Sequence, residues 1–88
     1  MNWKWYVYII ECCDQSYYIG RTWRPNQRWI QHLSGLGAQY TKKHLPKRLV
    51  YLEEYESFEE ARLREKQLKG WTRIKKEKLI KGQWGKWE

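Results

Sequence analysis

The stretch from Tyr6 to Gly20, YVYIIECCDQSYYIG, permits few folds. Val7 and Ile9 alternate with Tyr6 and Tyr8, and the same period runs back through Trp3, Lys4 and Trp5. A period of two predicts a strand with one strongly apolar face. Residues 16–22 read as its antiparallel partner across a polar turn. A three-residue loop of Cys13, Asp14 and Gln15 pairs Tyr8 with Gly20 and Ile10 with Tyr18. That register puts both tyrosines on one face and Val7, Ile9 and Ile19 on the other, whereas a two-residue loop pairs Tyr8 with Arg21 and separates the phenols. The three-residue loop is expected because it gathers the aliphatic side chains. Glycine normally weakens a strand, so Gly20 raises the question of whether Tyr8 and Tyr18 only pack or also face a substrate.

Further along, Pro25 suits the first turn of a helix over 25–34. Trp29 and Leu33 share one side of it, and Arg28 and His32 lie one turn apart on an adjacent side. Gly35 is its stop. The segment GLGAQYTKKHLP is then a loop with at most one short helical turn, closed by Pro46. Residues 48–55 read as a third strand. Ser57 to Glu60, SFEE, forms a capping box for a helix ending near Lys69, with Gly70 as its stop. A last amphipathic helix is expected over 72–81. The fold class is α+β: a small central three-stranded antiparallel sheet flanked by three to four helices. Residues 1–82 read as one domain and 83–88, QWGKWE, as a short tail. A chain of 88 residues builds one small core, and most of its seven tryptophans are expected there.

A net charge of +8 implies anionic partners, nucleic acid first. The charge is uneven: five of the ten acidic residues lie between Glu53 and Glu60, while 69–81 is strongly basic. No apolar run approaches the ~20 residues that span a bilayer, and the expectation is a soluble, unprocessed, cytoplasmic protein with no membrane partner. Cys12 and Cys13 are adjacent, a poor disulfide geometry, and no CxxC or Cys/His spacing suggests zinc. They read as small residues at a strand end in a reducing compartment.

One residue looks misplaced. At ~100° per residue, Phe58, Ala61, Glu65 and Leu68 fall in one narrow sector of the capped helix. A carboxylate on an apolar stripe is costly unless it is paired or holds a cation. Either Glu65 makes a salt bridge with one of eighteen lysines and arginines, or it faces a cleft as a metal ligand or acid–base group. Leu63 falls nearly opposite the stripe, which nothing in the pattern explains.

YVY at Tyr6–Tyr8 followed by YIG at Tyr18–Gly20 resembles the two-part signature of the GIY-YIG nuclease superfamily. Arg28 and His32 resemble its arginine and the His or Tyr one turn later. Glu65, in ARLREKQLKGW, resembles its lone glutamate on a later helix. GLGAQYT and KQLKGWTR look like the small stand-alone bacterial branch, and the likeness covers nearly the whole chain. Tyr6 replaces the first glycine of the signature, and Arg21 stands where several relatives carry lysine. The 88 residues are expected to hold no second nucleic-acid-binding domain, which leaves substrate affinity to the domain or to a protein partner.

The resemblance implies a DNA endonuclease using one divalent cation, Mg²⁺ or Mn²⁺. Branched, flapped or single-stranded sites in repair or recombination are the expected substrates, RNA is a further candidate, and a monomer is expected. Tyr8, Tyr18, Arg28, His32 and Glu65 are its implied catalytic residues, with Glu65 as metal ligand. Gly20, Arg21, Tyr40 and Lys69 are expected at the substrate, Gly20 by leaving room opposite Tyr8. A lone carboxylate suffices for Mg²⁺, which keeps most of its waters. Free tyrosine titrates near pH ~10, so a phenolic base needs a nearby cation. Tyr8 is slightly favoured as base, with Tyr18 orienting water or phosphate; either assignment fits. His32 is expected to bond the tyrosine or the phosphate, His44 to be a surface residue, Tyr17 to pack, and Tyr6 stays open. Trp23, Trp84 or Trp87 can stack on an unpaired base. The competing functions are a nucleic-acid-binding module with little activity and a structural subunit whose partner supplies affinity.

Overall fold

A computed structural model describes residues 4–35 and 37–82, and the expectations for Trp3, Trp84, Trp87 and the tail fall outside the described residues. Its elements run β1 (Trp5–Cys12), β2 (Tyr17–Thr22), α1 (Pro25–Leu33), α2 (Gln39–Lys43), β3 (Pro46–Tyr55), α3 (Phe58–Lys69) and α4 (Arg73–Ile80). The sheet is antiparallel with β1 in the centre, in the order β2-β1-β3. This is the expected α+β architecture, with four helices around three strands.

The hairpin takes the three-residue loop. Tyr8 pairs with Gly20 and Ile10 with Tyr18. Gln15 adopts a left-handed φ of 72°, which lets the chain rejoin the ladder through Cys12 and Ser16. Asp14 accepts from the Ser16 amide at 3.1 Å and pairs with His44. His44, expected as a lone surface residue, is half-buried and stacks on Tyr40 at 4.1 Å. β3 begins at Pro46, two residues earlier than the pattern suggested, because an edge strand tolerates a residue without an N–H.

Two clusters fill the two faces of the sheet. Val7, Ile9, Ile19 and Tyr51 meet Ala61, Leu68 and Leu79 of α3 and α4. Tyr8, Ile10 and Cys12 meet Tyr18, Trp29 and Tyr40 on the opposite face. The tryptophan expectation is corrected: no described tryptophan is fully buried, Trp5, Trp29 and Trp71 are half-buried, and Trp23 is exposed. Indoles are too large for so thin a core, so aliphatic residues occupy its centre and the indoles cover its margins. Phe58 is likewise exposed rather than buried on the stripe; it meets Trp5 edge-on at 4.9 Å. Leu63 points outward and is exposed. Tyr17 packs against the first cluster, under the guanidinium of Arg73.

A second buried carboxylate carries no signal in the strand pattern. Glu53 is 3% exposed on β3, facing α3. Arg64 grips it with two bonds of 2.9 Å, and the Tyr51 and Tyr55 hydroxyls donate to it as well. Burial alone would raise the carboxyl's pKa; Arg64 and the two phenols outweigh it and hold it below the ordinary value.

Candidate active site

β1, β2, α1 and α3 converge on an open cleft of about 440 Å³ lined by Tyr8, Tyr18, Arg21, Arg28 and Glu65, with Trp23 and Phe58 at its margins. The chain turns into α1 through Thr22, whose buried hydroxyl accepts from the Arg24 amide at 3.0 Å. Pro25 then starts the helix that carries Arg28 and His32 toward the sheet.

Tyr8 is 3% exposed, and its ring occupies the space above Gly20. A Cβ on residue 20 would stand 2.7 Å from the Tyr8 Cζ, far inside contact distance. The room that Gly20 was expected to leave for substrate is therefore filled by Tyr8. Tyr18 lies beside it on the same face, ring centres 6.2 Å apart, and is half-buried.

The Tyr8 hydroxyl lies 2.9 Å from Nε2 of His32, and His32 Nδ1 lies 2.7 Å from Oγ1 of Thr41. Thr41 in turn donates to the Ala38 carbonyl at 3.1 Å. A carbonyl only accepts, so the polarity of the whole chain follows: Nδ1–H of His32 donates to Thr41, and Nε2 accepts the Tyr8 proton. His32 is 1% exposed, with Gly37 backed so closely on its ring that a Cβ there would stand 2.9 Å from Cε1. Burial, and then the charge of Arg28, hold the imidazole pKa down to about 4, so the ring is neutral. Burial pushes the Tyr8 phenol up to about 12; Arg28 pulls against this and Tyr18 adds to it. His32 thus bonds the tyrosine and is too deep to touch a phosphate. Thr41 and Gly37 were not singled out from sequence; the glycines of GLGAQYT were the available signal.

Glu65 is buried at 6% exposure and lines the cleft, but it is not bare. Arg21 donates to Oε1, and Lys69, one turn away, pairs with Oε2 at 2.9 Å. The expected salt bridge is therefore present, and the carboxylate also lines the cleft. A hard divalent ion that keeps its waters fits one such carboxylate beside a phosphate. Among the described residues no group of three or more His, Cys, Asp or Glu could hold a metal by itself. Tyr40 stands behind Tyr18, ring centres 5.8 Å apart, and lines a neighbouring depression with Lys69 and Lys76. Arg28 is half-buried, and its Nη1 donates to Gln31 at 3.0 Å. Tyr6 shares the face of Tyr8 and pairs with Thr22 and Glu54.

The GIY-YIG catalytic domain model matches residues 4–78. The chain belongs to the GIY-YIG family. This domain defines a nuclease superfamily whose members generally use a divalent metal and bind nucleic acid. A UPF0213 protein of Streptococcus pneumoniae is 44% identical over 80 residues, spanning 91% of this chain and 81% of the relative. One from Staphylococcus aureus is 47% identical over 76 residues, 86% of this chain and 93% of its own. The solution NMR structure of a UPF0213 protein from Bacillus halodurans superposes with a TM-score of 0.59 at 42% identity, covering 97% of this chain and 90% of that one. The small stand-alone GIY-YIG branch is therefore the right placement. Among the described residues, no helix of this GIY-YIG domain is long and apolar enough to cross a membrane.

Proposed function

We propose that this GIY-YIG domain is a divalent-metal-dependent endonuclease that hydrolyses DNA phosphodiester bonds, selecting branched, flapped or single-stranded sites in repair or recombination. It acts as a cytoplasmic monomer built on residues 1–82, with 83–88 as a tail. The observation that carries this reading is the convergence of Tyr8, Tyr18, Arg28 and Glu65, from four separate elements, on one open cleft.

In this mechanism the Arg28 guanidinium binds a non-bridging phosphate oxygen and neutralises charge that builds at phosphorus. Tyr18 orients the phosphate or the attacking water. Tyr8 takes the water's proton on its oxygen while its own proton passes to Nε2 of His32, so no free phenolate has to form. The resulting hydroxide attacks phosphorus in line and the bond to the 3′ oxygen breaks. Arg28 opposes charge on His32, and a bound phosphate that neutralises Arg28 relieves that opposition. A divalent ion held at Glu65 supplies Lewis acidity at the leaving oxygen when bound.

The test is cleavage of a panel of duplex, flapped, branched and single-stranded DNAs, with an RNA arm, in Mg²⁺ or Mn²⁺. Wild type should cut at least one of them, and Glu65→Gln should fold normally and cut none. Absence of cleavage by clean wild type across the panel would reject the enzyme.

A second reading is favoured by one observation: both oxygens of Glu65 are already bonded to cations. On it the domain binds nucleic acid through its charge, weakening steeply in salt, with a partner protein adding affinity. Glu65→Gln would then leave binding unchanged or stronger.

A further inference from the structure

Each oxygen of the Glu65 carboxylate is covered by a different cation from a different element. Arg21 reaches it from β2, with its guanidinium also 5.0 Å over the Phe58 ring; Lys69 reaches it from one turn further along α3. The carboxylate side chain is 8% exposed, whereas Arg21 is 34% and Lys69 55% exposed. The anion is therefore fixed and its partners are accessible from solvent. Both cations line one depression with Arg62 and Lys66, adjoining the cleft.

Building on the nuclease reading above, we infer that Arg21 and Lys69 form a clamp that withholds Glu65 from the divalent ion until a nucleic-acid backbone arrives. A divalent ion approaching the carboxylate meets two positive charges already bonded to its oxygens, so its affinity for the free protein is low. A phosphodiester offers these cations a competing anion: the Arg21 fork can bond two of its oxygens, and the flexible Lys69 stem can follow a backbone. Once they turn outward, an unpaired carboxylate stays behind in a nearly buried position, which is costly and is relieved by the ion. Ion and nucleic acid then strengthen each other's binding by the same factor.

Direct bonding of the ion to a phosphate would also couple the two ligands, so the deciding measurement is made on the full chain without nucleic acid. Mn²⁺ affinity is read by electron paramagnetic resonance for wild type, Arg21→Met, Lys69→Met and Lys66→Met. Each variant removes one positive charge, but among the described residues Lys66 makes no ion pair with Glu65. The clamp predicts about tenfold tighter Mn²⁺ binding for Arg21→Met, a smaller gain for Lys69→Met, and less than about threefold for Lys66→Met. Lys69 is exposed, so its variant keeps the test valid should Arg21→Met misfold. An uncleavable phosphorothioate oligonucleotide should tighten Mn²⁺ binding to wild type and do so less in Arg21→Met. If both Arg21→Met and Lys69→Met bind no tighter than Lys66→Met while Glu65→Gln still weakens binding, the clamp falls and Glu65 remains the ligand. If Arg21→Met combined with Glu65→Gln keeps the tight site, both the clamp and the ligand assignment fall.

Discussion

The Tyr8 hydroxyl and Nε2 of His32 stand 2.9 Å apart, with the proton on the tyrosine and the lone pair on the histidine. Nothing about either residue alone sets that polarity. Thr41 sets it, because its own proton is committed to the Ala38 carbonyl. A phenol held at about 12 is a poor base by itself, but one that can hand on its proton need not ionise first.

Tyr8→Phe is expected to lower the cleavage rate by about 10²–10⁴-fold, and to cost about 1–3 kcal/mol of stability because the buried Nε2 of His32 loses its donor. Thr41→Val removes the acceptor for His32 Nδ1–H, and Thr41→Ser keeps it. Single-turnover cleavage should fall in the valine variant and recover in the serine variant. Equal losses in both would show that Thr41 acts by packing alone.

Acid should weaken the fold through His32. Its folded pKa lies near 4 against an ordinary 6.5, so below about 6.5 the unfolded chain takes up a proton that the native ring refuses. Stability is full above that window and is lost progressively as pH falls toward 4. Urea midpoints across pH 7 to 4 should drop less in His32→Gln than in wild type. The cleavage rate should fall over the acid limb too, since a protonated His32 cannot accept from Tyr8.

Gly20→Ala is expected to displace the Tyr8 ring, because a methyl there falls within 2.7 Å of Cζ. Activity should drop by about tenfold or more while nucleic-acid affinity changes little, since misplacing a reacting group by ~1 Å is costly. Unchanged cleavage would mean that the ring can move without consequence.

Glu53 and Arg64 hold α3 to β3 with no group on the cleft. Arg64→Met leaves a carboxylate 3% exposed without its cation and should cost about 3–5 kcal/mol in chemical denaturation, whereas Glu53→Gln with Arg64→Met should recover part of it. Because the folded Glu53 pKa lies below its ordinary value, its contribution is present above about 4.5 and is lost as pH falls through the lowered value.

Much of this fold could be read along the chain. The alternation in β1, the three-residue turn, Pro25 at the start of α1 and Ser57 accepting from the Glu60 amide are local features whose energies depend on near neighbours. Glu65 stood out for the same reason, as a charge at an apolar position of a helical repeat. The tryptophans misled because size and hydrophobicity do not say whether a core is thick enough to enclose an indole. Glu53 gave no warning: on a strand beside Glu54 it looks like a solvated charge until α3 lays Arg64 across it.

The order of residues by itself determined which segments became strands and helices, which side chains share a face, and which family the chain joins. Tertiary structure alone decided which cations cover Glu65, which way the Tyr8–His32–Thr41 chain points, and that a phenol fills the gap over Gly20. Periodicity and capping act over one turn or one strand pair. Those three facts depend on groups from different elements that meet only when helices close over the sheet.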